Sequence, residues 1–205
     1  MQRPFIDAHV HLNTNTQAKL QLAAQYDAYF VSINTDIPFF IDLQAQREMI
    51  NTLNQNTQRS FFITSFDTQY WNTPRWLPHA MEQIKAGITA GAKGVKIWKN
   101  IGMDENLKDD QGNFVLLDDA RFDPIFQYLS DAGIVLLNHQ GEPRNCWLPL
   151  EEMTVASDRE YFAAHPEYHM FKNKHYPSYE AQMAARDRVL ERFPKLNYVG
   201  LHLFS

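Results

Sequence analysis

Six short apolar runs recur along the chain, separated by polar loops and by segments with helical spacing. They are Phe5-Ile6-Asp7-Ala8-His9-Val10, Tyr29-Phe30-Val31-Ser32-Ile33, Phe61-Phe62-Ile63-Thr64-Ser65-Phe66, Gly94-Val95-Lys96-Ile97-Trp98, Gly133-Ile134-Val135-Leu136-Leu137 and Tyr198-Val199-Gly200-Leu201-His202-Leu203. Several are β-branched and nearly continuous in hydrophobicity, the pattern of parallel strands buried on both faces. Between them, Leu77, Met81, Ile84 and Ile88 fall on one helical face, as do Phe122, Ile125, Phe126 and Leu129 behind the acidic Asp118 and Asp119. Tyr179, Met183, Leu190 and Phe193 follow a helix start at Pro177-Ser178 and precede a stop at Pro194, while Phe40 to Asn54 has a weaker helical pattern rich in Gln and Asn. Strands alternating with helices predict an α/β fold with a parallel sheet.

Composition narrows the function classes. The chain has 205 residues, enough for one sizeable core, and 24 acidic against 19 basic side chains give a net charge of -5. No block of like charge stands out, so neither nucleic acid nor an anionic membrane is the expected partner. The apolar runs are too short to cross a bilayer and the start has no signal-peptide core, so a cytoplasmic protein is expected. The lone Cys146 excludes an internal disulfide framework. Aromatic residues at 13% suit either a lined pocket or a large core.

Histidine placement carries the chemistry. His9 and His11 are two apart on the first run, and residues two apart on a strand point the same way, so two imidazoles share one space. Two histidines hydrogen-bonded to neighbouring loops are the competing reading. His139 closes the strand Ile134 to Asn138, and His202 sits near the end of Asn197 to Leu203. Three strands thus carry histidine at their C-terminal ends, where sites assemble in parallel α/β folds. Imidazole donors fit zinc, with manganese, iron, nickel or cobalt as alternatives.

The segment Phe5-Ile6-Asp7-Ala8-His9-Val10-His11 resembles the strand-one signature of the amidohydrolase superfamily. Gly91 to Ile97, Leu137-Asn138-His139-Gln140-Gly141-Glu142-Pro143 and Val199-Gly200-Leu201-His202 fall where its strands four, five and six would be. The resemblance is nearest to the amidohydrolase-related branch of metal-dependent hydrolases and decarboxylases. It implies a (β/α)₈ TIM barrel, with His9, His11 and His139 as metal ligands and His202 acting on substrate or water. The implied reaction is attack of a metal-activated water on a small ester, lactone or amide-like substrate. A non-oxidative decarboxylase on the same scaffold is the alternative. Only six of the eight β/α units are expected over residues 1–205, without the family's strand-eight aspartate, so the chain reads as one incomplete barrel. An inactive fragment, and pairing with another copy through open strand edges, are therefore further expectations.

Second-tier residues have competing readings. Lys96 and Trp98 on the fourth run, and Glu142 and Arg144 beyond His139, are candidate substrate-binding residues, with Lys99 an alternative. Asp36 and Asp67 sit on the same rim or act as turn and capping residues. Asp7 is expected to accept backbone hydrogen bonds. His165, His169 and His175 form either a second metal group or part of a Tyr-rich lid over about 144–178. His79 is expected on the surface and Cys146 in the interior.

Overall fold

Strands and helices alternate through the computed structural model, which describes residues 4–13 and 16–202. The order is β1 (Phe5–Val10), α1 (Gln17–Gln25), β2 (Ala28–Ile33), α2 (Leu43–Thr57), β3 (Ser60–Ile63), α3 (Trp76–Thr89), β4 (Gly94–Ile97) and α4 (Asn100–Met103). After these come α5 (Asp123–Ala132), β5 (Val135–Asn138), α6 (Ala156–Ala164), α7 (Tyr179–Arg192) and β6 (Tyr198–Gly200). Two sheets run in the orders β1-β2-β3 and β4-β5-β6. The chain divides into two units, Met1–Lys96 with Ile134–Leu136, and Ile97–Gly133 with Leu137–Ser205. Among the described residues no helix is long and apolar enough to cross a membrane.

In the first unit β1, β2 and β3 are parallel, with Phe5 opposite Ala28 and Phe30 opposite Ser60. A parallel bridge from Thr64 to Val95 carries the pairing towards β4, tied by Lys96 N–H donating to the Thr64 carbonyl at 2.7 Å. The core forms where α1 and α2 lie on the sheet: Leu20, Ile50, Leu53 and Phe62 pack together there. Asp42 caps α2 by accepting from Ala45 N–H at 2.8 Å, which fixes its start just after Pro38 and the Phe39-Phe40 turn.

Two expectations are corrected here. The strand β1 is exposed at five of its six positions, because β2 is its one neighbouring strand among the described residues. On α3 the fully buried stripe is Trp76, Ala80, Ile84 and Gly87, one residue out of step with the expected Leu77, Met81, Ile84 and Ile88. Small residues explain the shift. A Cβ added at Gly87 would stand 2.3 Å from the Thr64 hydroxyl, so helix and strand approach closely only because Gly87 has none.

In the second unit the expected helix starts hold. Asp119 accepts from Arg121 N–H in the turn that leads into α5, Phe122, Ile125, Phe126 and Leu129 are buried, and Gly133 ends the helix at φ 65°. Ser178 caps α7 by accepting from Ala181 N–H. The last strand is shorter than the sixth apolar run: it ends at Gly200, so His202 lies beyond it with φ 53°, and Leu203 falls outside the described residues.

Candidate functional site

Each unit brings together one pair of the four histidines. In the first, the register of β1 shifts between Asp7 and Val10, and Asp7 accepts from His9 N–H at 3.2 Å. The strand then ends, and the rings of His9 and His11 lie edge to face, 5.7 Å between centroids. The His11 ring also meets Phe40 at 5.0 Å and borders a cavity of about 400 Å³ shared with Phe39, Gln46 and Met49. Partial burial pushes the His11 imidazole below its ordinary range, and the Lys96 charge adds to this against a hydrogen bond with the Ile33 backbone. Ring N–H donation to a backbone carbonyl fixes the tautomer and leaves the other nitrogen as a lone-pair donor. That is the form in which histidine binds a divalent metal.

The same unit holds Lys96, 2% exposed at the centre of the fully buried β4. Burial alone pushes its ammonium down to about 7.

In the second unit, His139 N–H donates to the Ile97 carbonyl at 3.1 Å, and Leu201 N–H donates to the Asn138 carbonyl at 2.9 Å. These bonds hold His139 and His202 at the ends of adjacent strands, with ring centroids 4.3 Å apart. Beneath them, the Asn138 amide donates to Gln140 Oε1 and to the Tyr198 hydroxyl, whose pKa burial raises. Glu142 is ion-paired with Lys99, whose Nζ also lies 5.6 Å from the Trp98 ring. The Trp147 indole donates to the Glu142 carbonyl at 3.1 Å, and Arg144 is exposed.

The donor chemistry fits a divalent cation in kind: imidazoles, one of them with its tautomer fixed by the Ile33 backbone. Within either unit, among the described residues, no group of three or more His, Cys, Asp or Glu side chains converges. The second histidine group does not form a metal cluster either. His169 is buried with Nε2 against the Leu148 carbonyl at 2.7 Å, His165 packs on Tyr161, and His175 pairs with Glu105. Cys146 is buried, donates to the Tyr168 carbonyl, and has its thiol pushed up to about 11 chiefly by burial.

One cluster escaped the sequence reading. His79, expected on the surface, turns its Nε2 to the Asp67 carboxylate at 3.0 Å, while Gln83 both donates to Asp67 Oδ2 and accepts from Asp67 N–H. His79 and Gln83 are four apart on α3, a spacing that puts both on one face over the loop after β3.

A family model described as Amidohydrolase matches residues 68–203. No curated protein matches the chain. Among solved structures, 2,6-dihydroxybenzoate decarboxylase from Rhizobium is 14% identical with a TM-score of 0.50, covering 92% of this chain and 56% of that one. An amidohydrolase from Mycobacterium avium subsp. paratuberculosis is 15% identical at 0.50, covering 90% and 47%. A 4-oxalomesaconate hydratase from Rhodopseudomonas palustris is 10% identical at 0.50, covering 91% and 47%. At these identities the likeness is one of fold: the α/β order above is that of the TIM-barrel amidohydrolases, with six strands among the described residues. The chain spans about half the length of these structures.

Proposed function

Because the chain belongs to the amidohydrolase family, we propose that it serves a metal-dependent reaction of hydrolase type on a small ester, lactone or amide-like substrate. The observation that carries the reading is the His9-His11 pair, with His11 partly withdrawn from water and hydrogen-bonded to the Ile33 backbone. In this proposal His9, His11 and His139 hold one divalent ion, zinc by the chemistry of the donors. Such an ion lowers the pKa of a bound water and polarises a carbonyl. His202, packed on His139, moves the proton between water and leaving group. Lys96 takes the substrate's negative charge, since a buried ammonium near its titration point gains from an incoming anion. Trp98, Glu142 and Arg144 complete the substrate side, with Glu142 restrained by Lys99.

The second reading, a non-oxidative decarboxylase, draws on the fold shared with 2,6-dihydroxybenzoate decarboxylase. The same histidines serve either chemistry, and fold alone does not choose.

Elemental analysis of the purified chain tests the ligand set. About one zinc per chain is expected, falling to a trace in the His9→Ala/His11→Ala double variant while the far-ultraviolet circular dichroism is unchanged. Equal zinc in the variant rejects the site. Assays of carbon dioxide release from aromatic acids against ester and lactone cleavage, each with and without a chelator, separate the two reactions.

A further inference from the structure

On the far side of β3 from the sheet's first strand, α2 and α3 leave a cleft of about 310 Å³ that no step above uses. Arg47 of α2 lines it together with His79 and Glu82 of α3, over the buried Thr64 and Ser65 just beyond β3. Most of the polar groups here are already committed. Gln83 is spent on Asp67, Gln44 on Glu48, and the Ser65 hydroxyl on the Lys96 carbonyl.

Two charged groups are left, one on each helix. The half-buried Arg47 guanidinium, a pure donor, makes no ion pair or hydrogen bond among the described residues. His79 offers its Nε2 to the Asp67 carboxylate. A carboxylate only accepts, so the hydrogen on Nε2 is directed at Asp67 and the ring is held at the edge of the cleft. Glu82, three residues on along α3 and therefore on the same face, supplies an acceptor to the cleft. A simple anion would meet Arg47 but be opposed by Glu82, and a simple cation would meet the reverse. A ligand with a carboxylate at one end and an ammonium at the other satisfies both walls. Leu43 and Ala86 supply an apolar wall of modest size beside them.

We infer that this cleft binds a free α-amino acid with a small apolar side chain, its carboxylate on Arg47 and its ammonium on Glu82, beside the His79 ring. The buttressing of Asp67 by Gln83 holds the imidazole in place, where it reports on an ammonium bound at Glu82. None of these residues belongs to the metal reading, so the two stand or fall separately.

The test is a titration of the full chain, labelled with ¹³C and ¹⁵N histidine, with L-valine, isovalerate and isobutylamine, following the His79 ring signals assigned through His79→Gln. Saturation by L-valine at roughly millimolar concentration or below is expected. The two single-charge fragments should bind at least about ten-fold more weakly, as loss of a charge-assisted bond requires. Arg47→Ala and Glu82→Gln should each weaken valine by a similar factor, and Glu82 is exposed, so its variant tests the site without disturbing the fold. No saturable shift, a fragment that binds as tightly as valine, or variants that bind like the parent chain would each overturn the assignment.

Discussion

Within the first unit, β1 and β4 lie at opposite extremes of exposure, and each carries a candidate chemical group. β4 is buried at all four positions and leaves Lys96 only 2% exposed, while β1 shows five of six positions to solvent and carries His9. Burial alters the group itself: the Lys96 ammonium loses its hydration and its proton becomes easy to remove. On β1 the strand leaves its group solvated, and chemistry must come from assembling donors, as His9 and His11 do across the irregular end of the strand. One strand tunes a residue by environment and the other by grouping.

The largest expected effect tests the buried side. Replacing Lys96 by Met removes a charge that folding must desolvate, so the variant should be more stable at pH 7, by an amount on the order of a few kcal/mol. The sign follows from the direction of the shift. Between about 7, the folded value, and the ordinary lysine range, the unfolded chain binds a proton that the folded chain does not. Stability of the parent chain should therefore rise with pH through that window, with the full penalty below it. Urea unfolding at pH 7 and pH 10 checks this, and equal gain from Lys96→Met at both values would show that the ammonium is not desolvated.

A smaller loss is expected from Gly87→Ala. Thr64, which bridges to Val95 beside Lys96, has no room for a new methyl group at 2.3 Å. A cost of about 1–3 kcal/mol in thermal or urea unfolding is expected for such overpacking; a neutral result would mean that α3 can lift from β3. The smallest effect belongs to the exposed strand. Ile6 is 65% exposed, so Ile6→Lys should change stability by no more than about 0.5 kcal/mol. A lysine on an unpaired edge should nonetheless reduce self-association seen by light scattering at high concentration.

The contrast also shows what the sequence could and could not reveal. α5 and α7 were legible because their signals are local: the acidic Asp119 precedes one, and Ser178 caps the other. β1 and β4 look alike as apolar runs, and only their neighbours distinguish them: β1 stands at the end of its sheet, while β4 is bridged to Thr64 on one side and followed by β5 on the other. The stripe on α3 was misread by one residue because side-chain size, not hydrophobicity, decides which face approaches Thr64. That His9 and His11 share one space was legible from their two-residue spacing, whereas the packing of His139 on His202 depends on β5 and β6 being neighbours. The His79-Asp67-Gln83 cluster was not, because its carboxylate stands 12 and 16 residues from its partners and is brought to them by the β3-α3 turn. A four-residue spacing of His and Gln on one helix face was the one available signal.

The environment of Cys146 makes the molecule report on its own fluctuations. The chain has a single thiol, buried, hydrogen-bonded to the Tyr168 carbonyl and poorly ionised at neutral pH. An alkylating reagent can reach it only when the segment around it opens, so each modified molecule records one such opening. The rate of thiol labelling is thereby a clock for local unfolding of the second unit, readable by mass without any added probe.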